Sequence, residues 1–463
     1  MEDKNINADL SKRDKEFHSM SLNDDMWKVV LYVGIPLALY QFISAMFSVL
    51  DTMMASHISR ESVSAVAYLN QINLLLSAVG GGLAVGSGIQ IANAFGKGDF
   101  VLVKKRVSSL YAICLSIGVL MLAGILPFTH QFLVFVGTPE GLIEIGTQYF
   151  VVSMFTMVIT FLNNVYITVE RSRGNSKLIF RLNMVVIILK LTLTAFFVYV
   201  VNGNLVLIAV ASLISQLFLL IVGIINSQNG NSAFGFSLNA VSKEKEVVEP
   251  MIHSSIPVII EKALFAFGKT IVNSMSIVYG NLMVGAMGVS NNLGAITTNP
   301  QNGFQDGSAS IISQNYGAGK YKRVLEAFKW TLIFNVIIGF VISSIELWQL
   351  DFLASLFDSG NMELGELIKI TYTYEALGAI PLGINAAIMS LMYGLGKTKL
   401  TMVIHVSRVF VFRIPVFWFL QNYTNLGLKV PGMVMMISNT AVCVFSIIIA
   451  IFVIHDFKKE YAI

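Results

Sequence analysis

Charge is what this sequence has little of. Only 13% of its 463 residues are Asp, Glu, Lys or Arg, against roughly a quarter in soluble domains, so a globular fold bathed in water is excluded. Cysteine is scarce as well. Cys114 and Cys443 lie in apolar runs far apart, which excludes a disulfide framework and a thiolate metal site. His18, His57, His130, His253, His405 and His455 are scattered without ligand spacing. A Gly-x4-Gly-Lys-Ser/Thr loop is missing, and no polar stretch is long enough for an ATPase domain, which excludes transport driven by ATP. The first 26 residues have no apolar core and do not read as a cleavable signal peptide. The modest net charge of +4 requires no nucleic-acid partner.

What is present is apolar sequence, 55% of the chain. About 20 helical residues cross a bilayer, and twelve segments meet that length: 29–56, 63–95, 107–137, 140–170, 178–200, 204–227, 250–280, 283–316, 324–357, 363–394, 400–420 and 429–455. Basic residues collect on the cytoplasmic side of membranes. With both termini inside, Lys97, Lys104–Arg106, Arg171–Arg181, Lys243, Lys245, Lys320–Arg323, Lys397, Lys399, Lys458 and Lys459 all fall there. Only Arg60, Lys369 and Lys429 fall outside. The expected protein is a multi-pass inner (plasma) membrane protein with cytoplasmic N- and C-termini.

The chain also repeats itself. At an offset of 221 residues Gly82, Gly86, Ser87, Gly96 and Gly98 fall on Gly303, Gly307, Ser308, Gly317 and Gly319, and Gly174 and Lys177 fall on Gly396 and Lys399 at 222. Six spans, an even number, separate each feature from its copy, so the two halves share orientation and the repeat is parallel. The expected organisation is a tail (1–27), a six-helix lobe (28–227), a cytoplasmic linker (228–249), a second lobe (250–455) and a short tail (456–463). Such halves suit rocking about a central cavity.

Asp51-Thr52-Met53-Met54, the paired Gly-x-Gly turns at Gly96 and Gly317, Gly394-Leu395-Gly396, and the stretch from Arg408 to Pro415 together carry a family resemblance. The chain resembles multidrug and toxic compound extrusion (MATE) transporters, of the broader multidrug/oligosaccharidyl-lipid/polysaccharide exporter superfamily, over nearly its whole length. The resemblance implies an all-α, V-shaped pair of bundles that exports amphipathic, often cationic, compounds against inward Na+ or H+. It implies no enzyme activity, no cofactor beyond the coupling ion, and action as a monomer on small molecules within membrane lipid.

A charge inside hydrocarbon is costly unless it faces protein, water or a partner, so in-span acids and bases are the candidates for chemistry. Glu261 lies about eleven residues into its span, about 16 Å deep, and is the first candidate for ion coupling. It would hold either a proton or, with neighbouring oxygens, a Na+ ion. The resemblance supports it as the acid of the second lobe, and Asp51 as the acid of the first. Glu375 reaches similar depth, and Asp306 joins the set. The alternative for Glu261 is a structural ion pair with Lys262, Arg413 or another base. Neither ion site of the family is complete: Lys190 to Thr194 stand where one acid is expected, and no aspartate stands near Leu382.

The eighth span is polar for its depth, with Asn291, Asn292, Gln301 and Gln305 around Pro300, and Asn70 and Gln71 are the repeat mates of the first two. These amides, with Lys190 and Arg413, are the expected lining of a substrate cavity, the alternative being hydrogen bonds between helices. Lys190, Lys262, Lys269, Arg408 and Arg413 keep open an exporter of a lipid-linked or anionic precursor. A membrane receptor or scaffold that transports nothing is the third reading.

Overall fold

Backbone amides find no partner in hydrocarbon, so a chain this apolar closes them within helices. The computed structural model of the protein is helical accordingly. It describes residues 6–56, 60–135, 138, 140–201, 203–228, 232–357 and 361–463, the side chains of 48–56, 60–68, 70, 71, 140–142 and 145 excepted. In chain order the helices are α1 (Lys12–Asn23), α2 (Met26–Ser56), α3 (Arg60–Lys97), α4 (Phe100–Ile125), α5 (Thr129–Phe135), α6 (Glu140–Ser172), α7 (Ser176–Ala195), α8 (Leu205–Ser227), α9 (Lys245–Ser276), α10 (Asn281–Gly317), α11 (Tyr321–Trp348), α12 (Leu350–Ser355), α13 (Met362–Leu377), α14 (Ala379–Gly394), α15 (Thr398–Phe410), α16 (Ile414–Tyr423) and α17 (Val430–Tyr461).

Among the described residues nine segments are long and apolar enough to cross a membrane, and α13 with α14 make a tenth that bends by 44°. The remaining two of the twelve expected spans are α9 and α10. They have the length, at 32 and 37 residues, and fall short in apolarity because they carry Glu261, Lys262 and Lys269 or the run of amides. The two helices least like lipid-facing spans therefore hold Glu261 and the candidate amides of the eighth span. Two expected spans, 363–394 and 400–420, are each broken in the middle. A proline has no N–H and presses on the carbonyl four residues back. For Pro381 and Pro415 those carbonyls belong to Leu377 and Val411, at the two breaks.

The duplication is visible in backbone hydrogen bonds. At the end of α3, Gly98 N donates to Phe95 O and Asp99 N to Ala94 O; at the end of α10, Gly319 N donates to Tyr316 O and Lys320 N to Asn315 O. This pair of hydrogen bonds, from a left-handed glycine and the residue after it, closes a helix C-terminus, and Gly98 and Gly319 have φ of 78° and 71°. Gly174 and Gly396, at φ of 71° and 72°, end α6 and α14 with the same bonds, to Arg171 and Glu170 and to Tyr393 and Met392.

The chain packs as two compact units, one of residues up to Met20 with Met46–Ile259, the other of Ser21–Ala45 with Ile260–Ile463. In the first, α3 meets α9 backbone to backbone: a Cβ on Gly82 would stand 2.8 Å from Ile259 Cα, and one on Gly86 2.4 Å from Ser255 Cα. In the second, α10 meets α2 in the same way, with Gly303 against Ala38 and Gly307 beside Val33 and Gly34. Ala38 and Gly34 are the 221-residue mates of Ile259 and Ser255. The duplication thus reaches from single turns to helix packing. The units divide the chain within α1, α2 and α9, whereas the sequence repeat divides it at the linker 228–249.

Candidate functional site

In the second unit α9, α14 and α15 bring three side chains to one point. Glu261 is 3% exposed, and its Oε1 accepts a hydrogen bond from the Tyr393 hydroxyl at 2.7 Å and contacts His405 Nδ1. Its Oε2 is buried and has no hydrogen-bond partner among the described residues. Oε1 is therefore held by two groups while Oε2 stays available to a proton or a cation. Tyr393 is placed by the turn that Gly396 closes, since the Gly396 N–H caps its carbonyl. His405 is also steadied by the ring of Phe265, 6.3 Å between centroids.

A second group lies on α10, α11 and α13. Glu375 Oε2 accepts from Ser290 Oγ. Glu346, 4% exposed, accepts at Oε2 from Thr297 Oγ1 at 2.6 Å and from the Tyr372 hydroxyl, while its Oε1 has no partner among the described residues. Lys269, Arg408 and Arg413 act electrostatically on Glu375. The two guanidiniums converge on one amide oxygen, Asn439 Oδ1, with Arg413 Nη2 at 3.0 Å and Arg408 Nη2 at 2.9 Å; Arg413 Nε also donates to Ser438 Oγ at 3.0 Å. Among the described residues neither arginine forms an ion pair with a carboxylate within 4.0 Å.

Gln301 fixes the bend between α13 and α14. It is 1% exposed, and its amide donates to the carbonyls of Asn335 and Ala379, both at 3.1 Å. A side chain from α10 thus ties α11 to the first turn of α14, just past the bend.

Of the residues singled out in the sequence, Glu261, Glu375, Gln301 and Arg413 fall in these groups. Asn291 bonds back to its own helix, Nδ2 to Met287 O at 2.9 Å, Asn292 is exposed, and Gln305 is buried on α10. Asp306 is half-buried on α10, and Lys190 is half-buried on α7 of the first unit. The side chains of Asp51, Asn70 and Gln71 lie outside the described residues. Sequence reasoning passed over His405, Tyr393, Tyr372, Thr297, Ser290, Asn439 and the role of Glu346. The partner of each is dozens of residues away in the chain. Glu346 counts among the acids within the expected spans, with Asp51, Glu261, Asp306 and Glu375, and stands near the C-terminal end of α11. Among the described residues no three His, Cys, Asp or Glu side chains gather as a metal site.

This architecture has known counterparts. A family model described as MatE matches residues 36–196 and 257–419, two stretches that begin 221 residues apart. The probable multidrug resistance protein YoeA of Bacillus subtilis is 23% identical over 87% of this chain and 88% of its own length. The multidrug export protein MepA of Staphylococcus aureus is 20% identical over 81% and 83%. Among solved structures, a MATE in complex with MaL6 superposes with a TM-score of 0.92 at 17% identity, covering 97% of this chain and all of that one. An outward-facing multidrug resistance MATE family transporter of the MOP superfamily gives 0.91 at the same identity and coverage. With the family model matching well over half of its length, in two copies in register with its own repeat, the chain belongs to the MatE family of membrane transporters and is not an enzyme.

Proposed function

We propose that the protein exports amphipathic cationic small molecules from the cell in exchange for inward movement of Na+ or H+. Export follows rocking of the lobes 28–227 and 250–455 about the linker 228–249, in the inner (plasma) membrane. The observation that carries the coupling is Glu261: a carboxylate buried within a span, fixed through one oxygen by Tyr393 and His405 and open at the other. A buried carboxylate without a full set of partners is expensive in a membrane. Binding a cation or a proton at Oε2 removes that cost, and its release restores it, which is what an exchange cycle needs. The names of YoeA and MepA support small organic compounds as cargo.

The test is efflux of a fluorescent organic cation from proteoliposomes under an imposed Na+ or H+ gradient. Wild type should respond to one of the two gradients, and Glu261→Gln should lose that response while keeping its fold. Export by Glu261→Gln at the wild-type rate would remove the residue from the coupling.

A second reading has one specific observation behind it. Lys269, Arg408 and Arg413 concentrate positive charge in the second unit, and the two arginines share a neutral acceptor. That arrangement favours an anionic cargo, such as a lipid-linked precursor. A gradient that drives an amphipathic carboxylate and no organic cation would make it the better reading.

A further inference from the structure

A seam of polar side chains lies in the second unit between α10 and α11. Thr331 Oγ1 donates to Ser308 Oγ at 2.7 Å, Gln301 reaches the Asn335 carbonyl, and Thr297 reaches Glu346. From Thr331 to Glu346 the seam spans about 22 Å at 1.5 Å per residue, with Gly339 and Ser343 on the same buried face. Every rung is buried: Ser308, Gln301 and Thr297 are each 1% exposed, Thr331 and Asn335 0%, and Glu346 4%. Five of its polar atoms have no partner among the described residues: Gln301 Oε1, both side-chain polar atoms of Asn335, Asn385 Oδ1 from the adjoining α14, and Glu346 Oε1. Packing alone explains none of this. An apolar face would be cheaper in a bundle interior, where unmet polar groups each cost about 1–3 kcal/mol.

We propose that Glu346 is a second coupling carboxyl of this transporter, distinct from Glu261, and that it binds and releases a proton through the seam. This rests on the cation-coupled reading above and adds to it a site and an ion. Oε2 of Glu346 is committed to two hydroxyl donors, Thr297 and Tyr372. That leaves Oε1 as a lone oxygen, which suits a proton. A Na+ ion would need several more oxygens around the same point. No base offsets the charge of Glu346 within ion-pair distance among the described residues. The groups acting on it are Thr297 of α10, Tyr372 and Glu375, the last two one turn apart on α13. Asp351 of the adjacent α12 is engaged by Lys369 at 3.0 Å, and α14 offers the amide of Asn385.

The step balances simply. A hydronium ion on one side gives its proton to Oε1, a water molecule is left, and the carboxylate becomes a carboxylic acid. Release to water on the other side restores the carboxylate. The unpartnered amide atoms of Gln301, Asn335 and Asn385 can donate to and accept from water along the way, as buried polar atoms in proteins commonly do.

The test is infrared difference spectroscopy of purified protein in lipid, titrated in pH without any substrate or gradient, so that it does not depend on export. Among the protonated-carboxyl C=O bands that grow on acidification, wild type should show one that is kept in Glu261→Gln and Glu375→Gln and lost in Glu346→Gln. Glu346→Asp, which preserves the chemistry if the amide variant folds poorly, should shift the band without removing it. In proteoliposomes Glu346→Gln should also lose the dependence of efflux on an imposed proton gradient. Persistence of the band in Glu346→Gln, or a wild-type carboxylate that responds to Na+ and not to pH, would overturn the proposal. A band that behaves as expected in a protein that exports no cation would leave Glu346 as the proton site and refute the export reading instead.

Discussion

Two guanidiniums of the second unit share one amide oxygen. Asn439 is 1% exposed, Arg413 is 3% exposed, and the asparagine oxygen accepts from both arginines. A neutral acceptor lowers the energy of two like charges without cancelling either, so both stay available to Glu375 or to a cargo. Hydrogen bonds to charged groups contribute about 1.5–3 kcal/mol each. Asn439→Ala should therefore destabilise the protein by about 2 kcal/mol or more, seen as a lower melting temperature in detergent. Asn439→Asp should raise the melting temperature and impair efflux, because the new carboxylate would hold both arginines in place. If Asn439→Ala melts with wild type, the shared oxygen contributes nothing and Arg413 is held by Ser438 alone.

At the scale of elements, glycine separates two uses within one helix. On α10, a Cβ on Gly303 would stand 2.7 to 2.8 Å from Ala38 N, Ala38 Cα and Leu37 C, all backbone atoms that cannot rotate away. On the same helix Gly288 has open space around the Cβ position. Gly303→Ala should push α2 off α10 and lose about 1–3 kcal/mol as an overpacked contact does. Gly288→Ala should be neutral or gain up to about 1 kcal/mol from helix propensity. Thermal melting of the two variants side by side checks both signs. The pairing of Gly82 and Gly86 with Gly303 and Gly307 was legible in the sequence because duplication copies residues at a fixed offset. Their contacts with Ile259, Ser255, Ala38 and Gly34 were not, since spacing along a chain does not say which helix lies beside it. The breaks at Gly378 and after Phe410 were likewise only hinted at by Pro381 and Pro415, because prolines in membrane helices commonly bend without interrupting.

For the whole molecule, the depth of Glu261 was legible because a carboxylate in an apolar run stands out wherever it falls. Its partners were not. Tyr393 and His405 come 132 and 144 residues later, on two other helices, and an isolated tyrosine or histidine in a span carries no mark of what it faces. The alternation of basic residues, by contrast, predicts a topology without any contact, and several contacts within each unit join segments that it places together. In the first unit Asp14 of the N-terminal tail pairs with Arg173 at 3.0 Å, and Lys105 pairs with Glu244 of the linker at 3.2 Å. In the second, Lys320 and Arg323 donate to the carbonyls of Leu22 and Asp24, and Tyr321 stacks on Tyr461 at 3.7 Å. Each contact joins segments that the basic-residue pattern puts on one side. Lys104 to Arg106 are buried in the first turns of α4 rather than free in a loop, and Lys105 also fastens the linker through Glu244. Cysteine labelling tests the result directly, because Cys114 and Cys443 are both buried and can be replaced by alanine to give a silent background. In intact cells a membrane-impermeant maleimide should label Lys369→Cys and Lys429→Cys. It should reach Lys97→Cys, Lys177→Cys, Lys243→Cys and Lys458→Cys only after permeabilisation. Labelling of Lys97→Cys from outside would invert the topology, and with it the direction in which Glu261 and Glu346 load and discharge their ions.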